Sequence, residues 1–377
     1  MLGVYVHIPF CSAICNYCNF NRGLFDAGLK DRYIAALRTE IAINSDGSLV
    51  DSIFFGGGTP SLLEPREIAD LICACDQGFA VSDDVEITLE ANPETVLQQR
   101  LSAFRDAGIN RLSYGVQSFR DEELQRLSRL HSADRAREAF EMARAAGFSN
   151  VSLDLMMWLP QQTTAEWLES VEGLIALNPE HASLYLLEIY PNAPLRDAMA
   201  RARWSVAPDD DAAEMYLQAM ERLDAAGYRQ YEISNVARPG CESRHNLKYW
   251  SDGEWIGFGC GAHSTRGGVR WKNISSTEEY ISAVGRGAPP ATERRVLSPQ
   301  ERLEEALFTG LRLTAGVDVE GMKKRHDADI WALYGEELQP FVDQGLVIYD
   351  GRRVRLTRAG MLLANEIMTV FIGPAVR

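Results

Sequence analysis

Tyr5-Val6-His7-Ile8-Pro9-Phe10-Cys11-Ser12-Ala13-Ile14-Cys15-Asn16-Tyr17-Cys18 is the stretch on which the reading turns. Its first half is a short apolar run closed by Pro9, the pattern of a buried strand. Its second half places three cysteines, four and three residues apart, on the loop that follows. Three thiolates at that spacing can converge on a cube of iron and sulfide. Such clusters normally take four thiolates, so three leave one iron open, as a chemically active centre requires. A structural zinc site wants four closed ligands. The nearest further cysteines, Cys73 and Cys75, lie in a helix-like run and read as core. Cys11, Cys15 and Cys18 are therefore expected to hold a 4Fe–4S cluster.

Working outward, Gly3–Ile8 is the first of six β-type runs; the others are Asp51–Phe55, Val85–Glu90, Arg111–Gly115, Val151–Met156 and Ser183–Ile189. The stretches between them, such as Asp31–Ile43 and Ala133–Ala146, carry apolar residues at helical spacing. Strand–helix alternation argues for a parallel sheet, because parallel strands need a crossover. Six units favour a partial (β/α)6 barrel, although a doubly wound open sheet gives nearly the same pattern. Gly56-Gly57-Gly58-Thr59-Pro60 closes the second run and offers backbone N–H groups to a closely approaching ligand. One βα unit after the cysteine loop, it is placed to receive the amine and carboxylate of S-adenosylmethionine (SAM), whose methionyl end takes the open iron. Glu90, Gln117 and Asp154 end later strands at the same rim, where barrel sites lie and where carboxylates and amides can hold ribose hydroxyls.

Composition bounds what else the chain does. It has 377 residues, 46% hydrophobic and 24% charged, with a net charge of −15. That charge disfavours a general affinity for nucleic acid or anionic lipid. No apolar run is long enough for a membrane span, and Met1–Phe10 lacks the features of a signal peptide. A cytoplasmic protein is expected, in which seven cysteines are reduced thiols or metal ligands rather than disulfides.

After about Gly285 the pattern changes. A linker at 287–290 precedes helical runs Pro299–Leu313, Val319–Arg325 and Ile330–Gln344. A hairpin, Val347–Tyr349 with Arg353–Leu356 around Asp350-Gly351, and a last helix from Arg358 complete the segment. The expected division is residues 1–285, a barrel with an extension, and residues 291–377, a helical, winged-helix-like domain. Lys and Arg do not outnumber Asp and Glu in that second part, so a lid or docking module is a better reading than a DNA reader.

The cysteine triplet, Tyr5-Val6-His7-Ile8-Pro9-Phe10, the glycine triplet, Gly115-Val116-Gln117 and the C-terminal segment resemble the radical SAM group that contains oxygen-independent coproporphyrinogen III oxidase. Within it the chain is most similar to the HemW-type heme chaperones. The resemblance implies a partial radical SAM barrel with a C-terminal helical domain. It implies SAM contacts at Tyr5, Gly57, Gly58, Thr59, Glu90, Gln117, Arg129 and Asp154. It also implies heme, a heme-acceptor protein and, where radical chemistry occurs, an electron donor. Three features separate chaperone from oxidase: Phe20 where the oxidases carry a further cysteine, only four residues ahead of Tyr5, and Arg244-His245-Asn246-Leu247-Lys248-Tyr249-Trp250, which matches a His-Asn-x-x-Tyr-Trp heme motif. His245 is thus the expected iron ligand, with His263 and Cys241 as rivals. On the residues alone, a satisfied histidine among core aromatics is the blander reading of that stretch. His7 is expected beside the cluster loop. Trp158 stands where the family commonly has glycine, and is expected to alter the pocket near Asp154. The rival class is an enzyme, either a coproporphyrinogen III oxidase or a related methyltransferase.

Overall fold

A computed structural model describes residues 1–372; the last five residues of the expected C-terminal unit, 373–377, lie outside them. The six expected strands are Leu2–Ile8, Leu49–Gly57, Ala80–Ala91, Arg111–Gln117, Val151–Met157 and His181–Leu186. They lie side by side in chain order and all run parallel. Helices such as Ala27–Asn44, Pro65–Gly78, Ala133–Ala145 and Thr164–Leu177 make the crossovers. Alternation along each strand divides the side chains. Val4, Val6 and Ile8, and likewise Leu112, Tyr114 and Val116, pack into the main apolar core. Their neighbours face the concave side: Tyr5 from the first strand and Arg111, Ser113, Gly115 and Gln117 from the fourth line cavities there. A polar concave face on an apolar outer layer is what a partial barrel with an internal site requires.

The sheet is longer than the sequence led one to expect, with twelve strands among the described residues. Glu254–Phe258 runs parallel to the first strand on its free edge. His263–Arg266, Val269–Asn273 and Ala291–Val296 then add antiparallel partners. At the other edge, Asn235–Ala237 and Arg229–Glu232 extend the sixth strand antiparallel. The segment after the 287–290 linker therefore begins with a strand of the main sheet. The second apolar core starts only at Leu303. That core gathers helices Pro299–Gly310, Val319–His326 and Ile330–Asp343 against a three-stranded sheet in which Val317–Asp318 joins the expected hairpin. It is fastened to the barrel by Arg312, which pairs with the buried Glu232 at 3.0 Å and lies 4.2 Å over the Trp250 ring. Among the described residues no helix is long and apolar enough to cross a membrane.

Candidate functional site

The cysteine loop is built onto the end of the first strand. Phe10–Cys11 pairs parallel with Gly23–Leu24, and the Cys11 carbonyl accepts from Phe25 N at 2.9 Å. The glycine triplet is stitched to the same segment: Gly58 N donates to Ile8 O and Thr59 N to Phe10 O, both at 2.7 Å. This contact demands glycine, because a Cβ on Gly58 would lie 2.7 Å from Phe10 O and 2.9 Å from Ile8 O. Gly57 adopts φ +115°, in the region that favours glycine. Its N–H donates to the Glu90 carboxylate at 3.1 Å.

The three cysteines open onto one pocket of about 380 Å³ at the C-terminal ends of the strands. Gly57, Gly58, Thr59, Glu90, Gln117, Arg129 and Asp154 line the same pocket. Arg129 spans it: one guanidinium nitrogen lies 3.3 Å from Cys15 Sγ, and the other donates at 2.7 Å to Asn92 Oδ1 and to Gly115 O. The Thr59 hydroxyl donates to Cys11 Sγ at 3.7 Å and accepts from Asn92 Nδ2 at 3.0 Å. Burial pushes the Cys11 and Cys18 thiols above their ordinary range. Metal loading must therefore release their protons. Burial, reinforced by the charge of Asp154, pushes Glu90 up to about 7. Burial raises Asp154 as well, against hydrogen bonds from its serine neighbours, among them Ser113 at 3.2 Å.

Two expected site residues lie elsewhere. Tyr5 and His245 line an inner cavity of about 160 Å³ beneath the pocket, which shares Glu90, Ser113, Asp154 and Tyr185 with it. The Tyr5 hydroxyl sits 3.1 Å from His7 Nδ1 and the ring stacks on Phe54, so Tyr5 stands behind Glu90 and outside the pocket that holds the cysteines. His7 does pack at the cluster loop, with Nε2 2.7 Å from Asn21 O.

His245 is packed in the core. It opens a short helix, Arg244–Trp250, whose first N–H groups point at the buried Glu86 carboxylate. The imidazole is 1% exposed. Its Nδ1 lies 3.0 Å from Ser52 Oγ and its Nε2 2.9 Å from Tyr249 Oη. Both nitrogens are engaged, and Tyr249 and Trp250 pack against Trp255 and Arg312 rather than offering faces to a porphyrin. In this conformation the His-Asn-x-x-Tyr-Trp helix is a plug in the floor of the barrel. His245→Ala is accordingly expected to destabilise the protein by about 2–4 kcal/mol, because Ser52 and Tyr249 lose their buried partner. Urea unfolding of wild type and variant side by side checks this.

Of the rival ligands, Cys241 is half-buried. His263 is exposed, and it is the single exposed histidine of the six in the chain. Trp158 adopts φ +63°, which explains a preference for glycine there, but its Nε1 donates to Ala207 O at 2.7 Å and the ring does not line the pocket. Cys75 is buried as expected, whereas Cys73 is exposed on the same helix. Asn92, Ser113 and Arg111 were not anticipated as site residues. Asn92 lies two positions past Glu90, just beyond its strand, and Ser113 and Arg111 lie four and six positions before Gln117 on theirs; that even spacing was the signal available.

The residues fit a cluster and an adenosyl ligand on independent grounds. The donor set is three thiols in one pocket. Among the described residues no three His, Cys, Asp or Glu side chains are close enough to hold a single metal ion. Gln117 is held at φ +70° with its Oε1 buried in the pocket wall and lacking a donor. A buried acceptor of this kind calls for a ligand hydroxyl or amine.

Comparison with known proteins places this geometry. The Radical SAM superfamily matches residues 5–174 and the HemN C-terminal domain matches residues 297–363. The heme chaperone HemW of Bacillus subtilis is 37% identical over 99% of this chain and 100% of its own length. The chain belongs to the HemW family. HemW of Escherichia coli K12 is 42% identical over 70% of the chain and 69% of its own length. Among solved structures, coproporphyrinogen III oxidase from Escherichia coli superposes with a TM-score of 0.85 at 24% identity, covering 98% of this chain and 89% of that one. The last is a likeness of fold. HemW membership confirms the α/β architecture, a radical SAM barrel followed by a C-terminal helical unit, and the family implies a 4Fe–4S cluster and SAM.

Proposed function

We propose that this HemW-family chain binds heme and passes it to an acceptor protein, and that Cys11, Cys15 and Cys18 hold a 4Fe–4S cluster whose open iron takes SAM. The heme reading is supported by full-length similarity to proteins named heme chaperones. The cluster reading is carried by one observation: three thiols and the Gly57–Thr59 cradle share a single pocket with the orphaned Gln117 Oε1. Gly57 and Gly58 admit the methionyl end to the backbone, Glu90 and Asp154 accept ribose hydroxyls, and Gln117 accepts one further hydrogen. Arg129, in the pocket wall, holds Cys15 through its guanidinium. When bound and reduced by an external electron donor, the SAM-ligated cluster supplies cleavage of a carbon–sulfur bond.

With the cluster and SAM in this pocket, a porphyrin would have to share it with both. We therefore place heme outside it. His245 would have to break two hydrogen bonds and leave the core to reach an iron, whereas His263 meets one without rearrangement. Heme titration of anaerobically reconstituted protein, followed at the Soret band, tests both parts. Wild type is expected to bind heme and to yield it to apomyoglobin added as a surrogate acceptor. His263→Ala should bind about tenfold or more weakly, with a shifted band. A loss seen in folded His245→Ala and not in His263→Ala would return the ligand to His245. On the same sample, coproporphyrinogen III with SAM and a reductant is expected to remain unconverted. Phe20, which stands at the oxidases' extra cysteine, is 65% exposed at the pocket and offers no further thiol. Decarboxylated product would favour the enzyme reading instead.

A further inference from the structure

Arg111 has no place in the reading above, and its environment is unusual. It opens the fourth strand, is 1% exposed, and lines the inner cavity. Its Nε is buried without a hydrogen-bond partner, and among the described residues no carboxylate forms an ion pair with it. A buried guanidinium with an unpartnered Nε and no ion pair is an expensive placement. The fold therefore tolerates it for a reason or compensates it at a distance. The compensation lies across the cavity. Glu90 and Asp154, each on a neighbouring strand, border the inner cavity on one side and the outer pocket on the other.

We propose that Arg111 is a positioning residue for nucleoside binding: facing Glu90 and Asp154 across the inner cavity, its charge favours both carboxylates as acceptors for the two ribose hydroxyls in the outer pocket. This rests on the reading that SAM occupies the outer pocket. The groups facing the pair leave Arg111 as the cation available for this. Glu90 meets Asp154 from the fifth strand, Tyr5 from the first and Tyr249 from the plug helix, with only the Gly57 N–H and Arg111 on the favourable side. Asp154 meets Glu90, the Tyr185 hydroxyl, serine hydroxyls and, again, Arg111. His245, the other basic group of the cavity, is held neutral at about 3 by burial, then by the charges of Lys248 and Arg111, and so adds no positive charge. The cavity is polar and roomy enough for bridging waters, and a buried charge acts across it far more strongly than across bulk solvent.

The sign of the effect follows. Removing the cation raises the proton affinity of both carboxylates, so fewer are ionised at neutral pH, and alkali restores them. The probe is 5′-methylthioadenosine, which carries ribose and adenine without the titrating amino-acid end of SAM. Its affinity for reconstituted protein is measured by equilibrium dialysis from about pH 6 to about pH 9. Arg111→Met is expected to bind about fivefold more weakly than wild type near pH 7, because a rise of about one pH unit from a value near 7 takes the ionised fraction from about one half to about one tenth, and to converge on it near pH 9. Arg111→Lys should follow the wild-type profile. Arg111→Gln replaces Arg111→Met should the latter fail to fold. A variant profile that superimposes on wild type, or lies below it by one factor at every pH, overturns the proposal. Failure of the underlying reading looks different: wild type would then bind neither SAM nor the probe, or Asp154→Asn would bind both as wild type does.

Discussion

Cys18→Ala is expected to abolish the cluster, taking iron and acid-labile sulfide to background after anaerobic reconstitution, and Cys11→Ala and Cys15→Ala should do the same. The effect is all-or-none because a cube held by three thiolates has no ligand to spare. The described residues offer no substitute. Cys75 is buried under the helix layer, Cys73 points outward, Cys241 lies after the last antiparallel strand at the far edge, and Cys260 is fully buried among Tyr33, Thr277 and Asn21. Single alanine variants of these four should retain wild-type iron. Iron retained by Cys18→Ala, or lost from Cys73→Ala, would remove the assignment.

The second large effect concerns a residue that touches no ligand atom by side chain. Gly58→Ala places a methyl group 2.7 Å from Phe10 O and 2.9 Å from both Ile8 O and Phe10 N. All three are backbone atoms, so no rotamer change relieves the clash. The chain between Ile8 and Phe10 must move, and Cys11 follows it directly. Overpacking of this kind typically destabilises by about 1–3 kcal/mol. Here it also breaks the two hydrogen bonds that register the glycine triplet on the cysteine loop. Iron content should therefore fall by more than the loss of folded protein explains. Gly23→Ala is the matched control, since nothing lies within 4 Å of its added Cβ although it pairs with the same loop. Equal losses in the two variants would show that crowding at Gly58 is not what couples triplet to cluster.

The parts of the architecture that were legible in the sequence share one property: they are buried on a regular face. The six parallel strands and their helices write their burial as alternation and helical spacing, and each strand was located to within a few residues. The strands that went unseen are short or lack a clean alternating face; Asn235–Ala237 is buried but only three residues long. Ala291–Val296 is exposed along nearly its whole length, and its Glu293-Arg294-Arg295 reads as solvated loop. Glu254–Phe258 contains Gly257, which the close approach of His263 O requires. The outer pocket was legible because its residues sit at strand ends next to the cysteines. The inner cavity was not, because Arg111 begins its strand, where a charged residue looks like a surface turn. The packing of His245 was not legible for a related reason. A motif states which residues travel together, and only packing states whether an imidazole faces a ligand or the Ser52 hydroxyl.

One measurement bears most directly on the account. The reconstituted protein is reduced anaerobically, and its electron paramagnetic resonance spectrum is recorded before and after addition of SAM labelled with ¹⁵N at the methionyl amine. A cluster held by Cys11, Cys15 and Cys18 with an open iron beside the Gly57–Thr59 cradle predicts a changed spectrum and a resolved hyperfine coupling to the labelled nitrogen. A reduced cluster whose spectrum is indifferent to SAM, with no coupling to the amine, would contradict it.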